Sequence, residues 1–184
     1  MSRSSPLDAK AFRVVYDGEL AYVARTLRRL GVAPGDVEDL AHDLFVIVSR
    51  QWSDYDPARP LRAWLFGIAV RLVSNYRQRA RHHREVQAPV LDVGDGKQPV
   101  DDRMADAEAR ARVLAALDEL DFDQRVAVVM HDLEERTAPE VAELLGVPLN
   151  TIYSRLRLAR RHLAEALGAR AAAPWKNEGR HARR

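Results

Sequence analysis

Arg155, Arg157, Arg160 and Arg161 crowd into the stretch "NTIYSRLRLARR", behind Asn150, Thr151, Tyr153 and Ser154. A guanidinium carries a rigid fork of N–H donors that fits phosphate oxygens or the O6/N7 edge of guanine. Hydroxyl and amide side chains beside it bond to the nucleic-acid backbone or to base edges. A second set, Arg71, Ser74, Asn75, Arg77, Gln78, Arg79 and Arg81, runs on into His82, His83 and Arg84, with no acid between Arg71 and Arg84. Such a stripe neutralises phosphates with an affinity that falls as salt rises. A third set has the opposite sign: Asp36, Glu38, Asp39, His42 and Asp43, followed by Phe45 and Val46. Acids beside apolar groups make a protein-docking patch.

These groups need elements to hold them, and the elements read as helices. Apolar residues recur at three- and four-residue spacing and strand-like alternation is nearly absent. Residues 6 to about 31 predict one or two helices, ended by "GVAPGD". Asp36 reads as an N-cap, with Asp39 in a first turn favoured by the helix dipole. The helix it opens has a core stripe of Leu40, Leu44, Ile47 and Val48, which leaves Glu38, Asp39 and His42 outward and Phe45 and Val46 partly so. After the turn-rich "SDYDPARP", a helix from about Leu61 to Arg81 packs by Leu65, Ile68, Ala69, Leu72 and Tyr76 and shows Arg71, Ser74 and Gln78 on its other side. Trp64 and Tyr76, at helical spacing, read as core rather than as stacking platforms for bases.

Residues 85 to about 101 lack helical period and contain Pro89, Gly94, Gly96 and Pro99, which marks a flexible linker. Beyond it, Leu114, Leu117 and Leu120 predict one helix and Val126, Val129, Met130 and Leu133 the next. Thr137-Ala138-Pro139-Glu140 has the form of a capping box, with proline in the first turn. Gly146 suits the left-handed residue that ends the short helix, and Asn150 or Thr151 can cap the one that follows. At about 100° per residue, Ile152, Leu156, Ala159 and Leu163 fall on one side of that last helix. Tyr153, Ser154, Arg157 and Arg161 fall on the other, and Arg155 and Arg160 flank. Two short helices joined by a tight glycine turn, the second one basic, form a helix-turn-helix, whose second helix enters the major groove. The expected organisation is all-α: residues 1–84 as one helical domain, 85–104 as linker, 105–168 as the helix-turn-helix domain and 169–184 as a disordered basic tail.

The 184-residue chain has 47% hydrophobic and 30% charged residues and a formal net charge of +2, so its charge is segregated rather than large. It has no cysteine, which excludes disulfides and thiolate chemistry. No apolar run approaches the roughly 20 residues of a membrane span, and "MSRSSPLDAKAF" has no secretory apolar region; a cytoplasmic, nucleoid-associated protein is expected. Gly-rich phosphate loops, nucleophile motifs and metal-spaced clusters are missing, so neither an enzyme nor a cofactor is expected. His42–Asp43 and His82–His83 lack the further ligands at fixed spacing that a metal requires.

Three motifs in order resemble bacterial sigma factors of the extracytoplasmic-function group. "EVAELLGVPLNTIYSRLRLAR" is similar to that family's "EIAxxLGxxxGTVxSRLxRAR", "DVEDLAHDLFVIV" to its "DAEDLxQExFxxV", and "LRAWLFGIAVRLVSNYRQRAR" to its "FRAWLxxIAxNxxxDxxRRxxR". The resemblance spans roughly residues 10 to 165. It implies two helical domains, σ2 and σ4, that bind RNA polymerase core and direct it to a promoter. The Asp36–Val46 patch would meet the β′ clamp helices of polymerase, with the β flap as a further contact. The Arg71–Arg81 set would take the −10 element, opening it and capturing a flipped base near Val70–Asn75. The Asn150–Arg161 set would read the −35 element. An anti-sigma partner is a further implication.

This chain departs from the pattern at several positions. His42 stands for Gln, Asp121 for Pro, Glu135 for Gly and Leu158 for Arg. Arg71 stands for Asn and offers donors only, where an amide offers donor and acceptor. The family's base preference at that position is therefore not carried over, while strand binding is. The alternative reading is a stand-alone helix-turn-helix regulator, which would bind promoter duplex without polymerase.

Overall fold

The structure, a computed structural model, describes residues 9–86 and 103–168, with side chains placed at 12–80 and 107–168. Most of the linker and all of the basic tail lie outside the described residues. Seven α-helices carry the described fold: α1 (Ala9–Arg29), α2 (Val37–Arg50), α3 (Leu61–Val86), α4 (Arg103–Asp118), α5 (Phe122–Val128), α6 (Ala138–Leu145) and α7 (Leu149–Ala166). Among the described residues there is no strand. The protein is all-α, as the periodicity predicts.

α1, α2 and α3 pack on one another around Val23, Leu27, Leu30, Leu44, Val48, Leu65, Phe66 and Val73, all buried. α1 is a single helix and passes through Gly18 without a break. It ends where the sequence predicts, at Gly31, whose φ of +97° is open to glycine at little steric cost. The Val32 amide donates to the Leu27 carbonyl at 3.1 Å and the Gly31 amide to Arg28 at 3.0 Å. That pairing is a Schellman motif, and its apolar clasp is Leu27 against Val32, both fully buried.

The second half packs α5 and α6 on α7, with Leu117 and Leu120 of the α4 end filling in behind. α5 does not continue as a regular helix. It widens into a π turn over Val129–Leu133, where the Glu134 amide reaches back to the Val129 carbonyl at 3.0 Å. The widened turn rotates Leu133 out of the expected stripe and leaves it exposed. Glu135 follows at a φ of +55°, a conformation that glycine would adopt with less strain. The buried residues of both halves join in one apolar cluster.

Candidate nucleic-acid and polymerase interfaces

The helix-turn-helix begins with the capping box. Glu140 accepts hydrogen bonds from the Thr137 amide at 2.8 Å and the Thr137 hydroxyl at 2.7 Å. The Thr137 oxygen in turn accepts from the Glu140 amide at 3.5 Å. These bonds favour the ionised form and hold the Glu140 carboxyl below its ordinary pKa. Gly146 takes the left-handed conformation, with φ of 65°, and the Val147 amide closes onto the Ala142 carbonyl at 3.1 Å. One expectation is corrected here. α7 starts at Leu149 behind Pro148, with no side-chain cap, so Asn150 and Thr151 are first-turn residues rather than caps. Proline presets the turn and thereby moves the start two residues upstream.

α7 buries Ile152, Leu156 and Ala159 and half-buries Tyr153 and Leu163. Ser154, Arg157 and Arg161 are exposed on the other side. Arg155 is ion-paired to Asp123 of α5. Arg160 donates from Nε to Asp132 at 3.0 Å, and its Nη2 lies 3.3 Å from His131 Nδ1. Burial pushes the Asp132 carboxyl up, but the Arg160 and His131 hydrogen bonds and charges outweigh it, and the group ends below its ordinary pKa. Asp123 and Asp132 therefore hold the two flanking arginines in place. Sequence reasoning missed both acids, because they sit 32 and 28 residues from their partners and no periodic signal links them.

On α3, Arg71, Asn75, Gln78 and Arg79 are exposed and Ser74 and Arg77 half-buried. The Arg81 side chain lies outside the described residues. The Arg77 guanidinium sits over the Phe122 ring, 5.1 Å from its centroid, a cation–π contact between the two halves. Arg71, Ser74 and Asn75 form one wall of a cleft of about 370 Å³, whose other wall includes Phe122, Asp123 and Arg155. The fold thus brings together three residues of the second predicted set and one of the first.

On α2, Glu38, Asp39, His42 and Asp43 are exposed and Val46 half-buried. Asp36 opens the helix without capping it, because its carboxylate accepts a hydrogen bond from the Tyr76 hydroxyl at 2.6 Å. The expected exposure of Phe45 is also corrected. It is 1% exposed, with its ring 4.6 Å from Tyr16 and 6.4 Å from Phe12. α1 covers this side of α2, so the apolar stripe is wider than Leu40, Leu44, Ile47 and Val48 alone. Trp64 is half-buried, in contact with Trp52 and Tyr55, and Tyr76 is half-buried against the core.

Among the described residues no three His, Asp or Glu side chains gather as a metal site would need. No described helix is long and apolar enough to cross a membrane.

Comparison with known proteins agrees with this geometry. The sigma-70 region 2 model matches residues 15–83 and the sigma-70 region 4 model residues 110–163. The chain is 30% identical over 156 residues to the RNA polymerase sigma factor CnrH of Cupriavidus metallidurans, covering 80% of this chain and 81% of that one. It is 32% identical over 164 residues to the extracytoplasmic-function sigma factor SigK of Mycolicibacterium vanbaalenii, covering 88% and 84%. The solved structure of CnrH in complex with the cytosolic domain of CnrY superposes with a TM-score of 0.63 at 27% identity, over 88% of this chain and 90% of that one. The Bartonella quintana sigma factor RpoE, solved with the anti-sigma factor NepR, shares the fold with a TM-score of 0.66 at 23% identity, over 87% and 98%. With α2, α3 and the helix-turn-helix in the order of regions 2 and 4, the chain belongs to the extracytoplasmic-function group of the sigma-70 family, factors that bind RNA polymerase and direct promoter recognition.

Proposed function

We propose that the three faces divide the work of initiation between them. The exposed acids of α2, Glu38, Asp39 and Asp43, with His42 and Val46, meet the β′ clamp helices of polymerase core, and the β flap contacts the second half. The α3 face, with Arg71, Ser74, Asn75, Arg77, Gln78 and Arg79, and Arg81 beyond them, takes the melted −10 strand. The α7 front, with Asn150, Thr151, Tyr153, Ser154, Arg157 and Arg161, reads the −35 element. Arg155 and Arg160 orient that front through Asp123 and Asp132. The domains divide at residues 84 and 105, with 85–104 as the connection.

The observation that carries this reading is the segregation of charge among exposed helix faces: acids on α2, and cations with amides on α3 and α7. A groove reader needs the second kind of face and a protein clamp the first. The protein acts by binding rather than by catalysis, beside core polymerase in the cytoplasm. The Bartonella quintana sigma factor RpoE was solved in complex with the anti-sigma factor NepR, and an anti-sigma factor that blocks polymerase binding is proposed for this chain on that precedent.

In vitro transcription with bacterial core polymerase on a genomic fragment library, with and without the protein, tests the proposal. Start sites that depend on the protein are expected. Duplex binding by the free chain with no dependent start sites would instead identify a stand-alone regulator.

A further inference from the structure

The cleft beside Arg71 has the dimensions of a small-molecule site. Its volume of about 370 Å³ falls within the roughly 300–1,000 Å³ of ligand pockets. Contacts around it fix its walls. Arg77 lies over the Phe122 ring, Arg29 meets Glu134 at 2.8 Å, and Arg125, 1% exposed, fills the space above Gly31. The cleft is therefore formed before any ligand arrives.

Its lining is of two kinds. Val70, Phe122, Val126, Leu145 and Val147 are apolar. Val126 is buried and the other four are half-buried, so an apolar body held against them is taken out of water. Ser74 and Asn75 add a hydroxyl and an amide, each able to donate and accept. The charges do not cancel. Arg155 is ion-paired to Asp123, which leaves Arg71 as the cation that nothing in the lining balances. Arg71 is exposed, and among the described residues no carboxylate is paired with it. The extracytoplasmic-function pattern has Asn at this position, so the excess cation is a feature of this chain.

We propose that the cleft binds a small amphipathic anion. An apolar, ring-bearing body packs against Phe122 and the aliphatic side chains, and a single carboxylate, sulfonate or phosphate group meets Arg71. Ser74 and Asn75 orient it. The ligand and a −10 strand both need Arg71, so the site makes strand binding sensitive to the ligand. That coupling rests on the assignment of α3 to the −10 strand, whereas the site rests on the cleft alone.

The full free chain is titrated by fluorescence with 8-anilinonaphthalene-1-sulfonate, an anion on an apolar ring system, and with its uncharged counterpart N-phenyl-1-naphthylamine. The anionic dye should saturate at one per chain and bind more tightly than the neutral one. Arg71→Asn should weaken it about fivefold, the scale of an exposed ion pair, and Arg71→Lys should keep most of the affinity. Asp123→Asn, which leaves Arg155 without its carboxylate, should strengthen binding. Absence of saturable binding would overturn the proposal. So would binding at many sites, equal binding of the neutral dye, indifference to Arg71→Asn, or weakening by Asp123→Asn. A single-stranded oligonucleotide should displace the dye. Dye binding that responds to Arg71→Asn but not to the oligonucleotide would fault the −10 assignment and leave the site standing, so the two failures are separable.

Discussion

Arg157 and Arg161 carry the exposed charge of α7, whereas Arg155 and Arg160 are tied to Asp123 and Asp132. A guanidinium already paired to a carboxylate gains less from a phosphate, because the first pair must break or be shared. Arg157→Ala should therefore weaken promoter duplex binding and reduce the slope of log affinity against log salt by about 1, with thermal stability unchanged. A salt titration of duplex binding checks this. Phe45 behaves differently from its acidic neighbours. Phe45→Ala removes a buried ring from the Phe12–Tyr16 cluster and should cost about 3–5 kcal/mol, read as a lowered denaturation midpoint. Glu38→Lys with Asp39→Lys, both exposed, should instead leave the midpoint in place and weaken pull-down by core polymerase. The outward direction of the acids was legible from helical period. The burial of Phe45 was not, since α1 covers it from more than 25 residues away in the chain.

At the scale of elements, α6 rests on its capping box and its glycine turn. Thr137→Ala should cost about 0.5–2 kcal/mol, as loss of an N-cap does, measured by urea denaturation. Glu140 adds a pH dependence of known sign. Its carboxyl is held down in the fold, so its contribution is fully present above the unfolded glutamate pKa of about 4.3. It disappears as pH falls through the lower folded value, because the unfolded chain then binds the proton first. Glu140→Gln should flatten that part of the stability profile between neutral and acid pH. The box, Pro139 and Gly146 were all readable from four-residue patterns, because caps are local chemistry. The start of α7 was misread by two residues, and the π turn after α5 had no signal in apolar spacing.

For the whole molecule, Gly31 joins local and global structure. It closes the Schellman turn of α1 with a positive φ, and its missing side chain leaves room for Arg125 from the other half. Gly31→Ala should cost about 1–2 kcal/mol for the left-handed backbone alone. It should also displace Arg125, which separates the halves. Chemical denaturation should then show a lowered midpoint, and scattering from the free chain a larger radius. A shift in midpoint with an unchanged radius would mean that the guanidinium finds another seat while the halves stay packed.

The sequence by itself determined an all-α chain, the glycine breaks after α1 and α6, and which helix faces carry acids and which carry cations. These follow from periodicity and from caps, whose partners lie within a turn or two along the chain. It also held the family, in three motifs whose order a single chain displays directly. Only the tertiary structure decided that Asp123 and Asp132 restrain two of the arginines, that Phe45 is core, and that Arg125 sits buried between the halves against Gly31. Each of these depends on contacts between residues far apart in sequence. A pattern read along one helix carries no information about which neighbour will cover it.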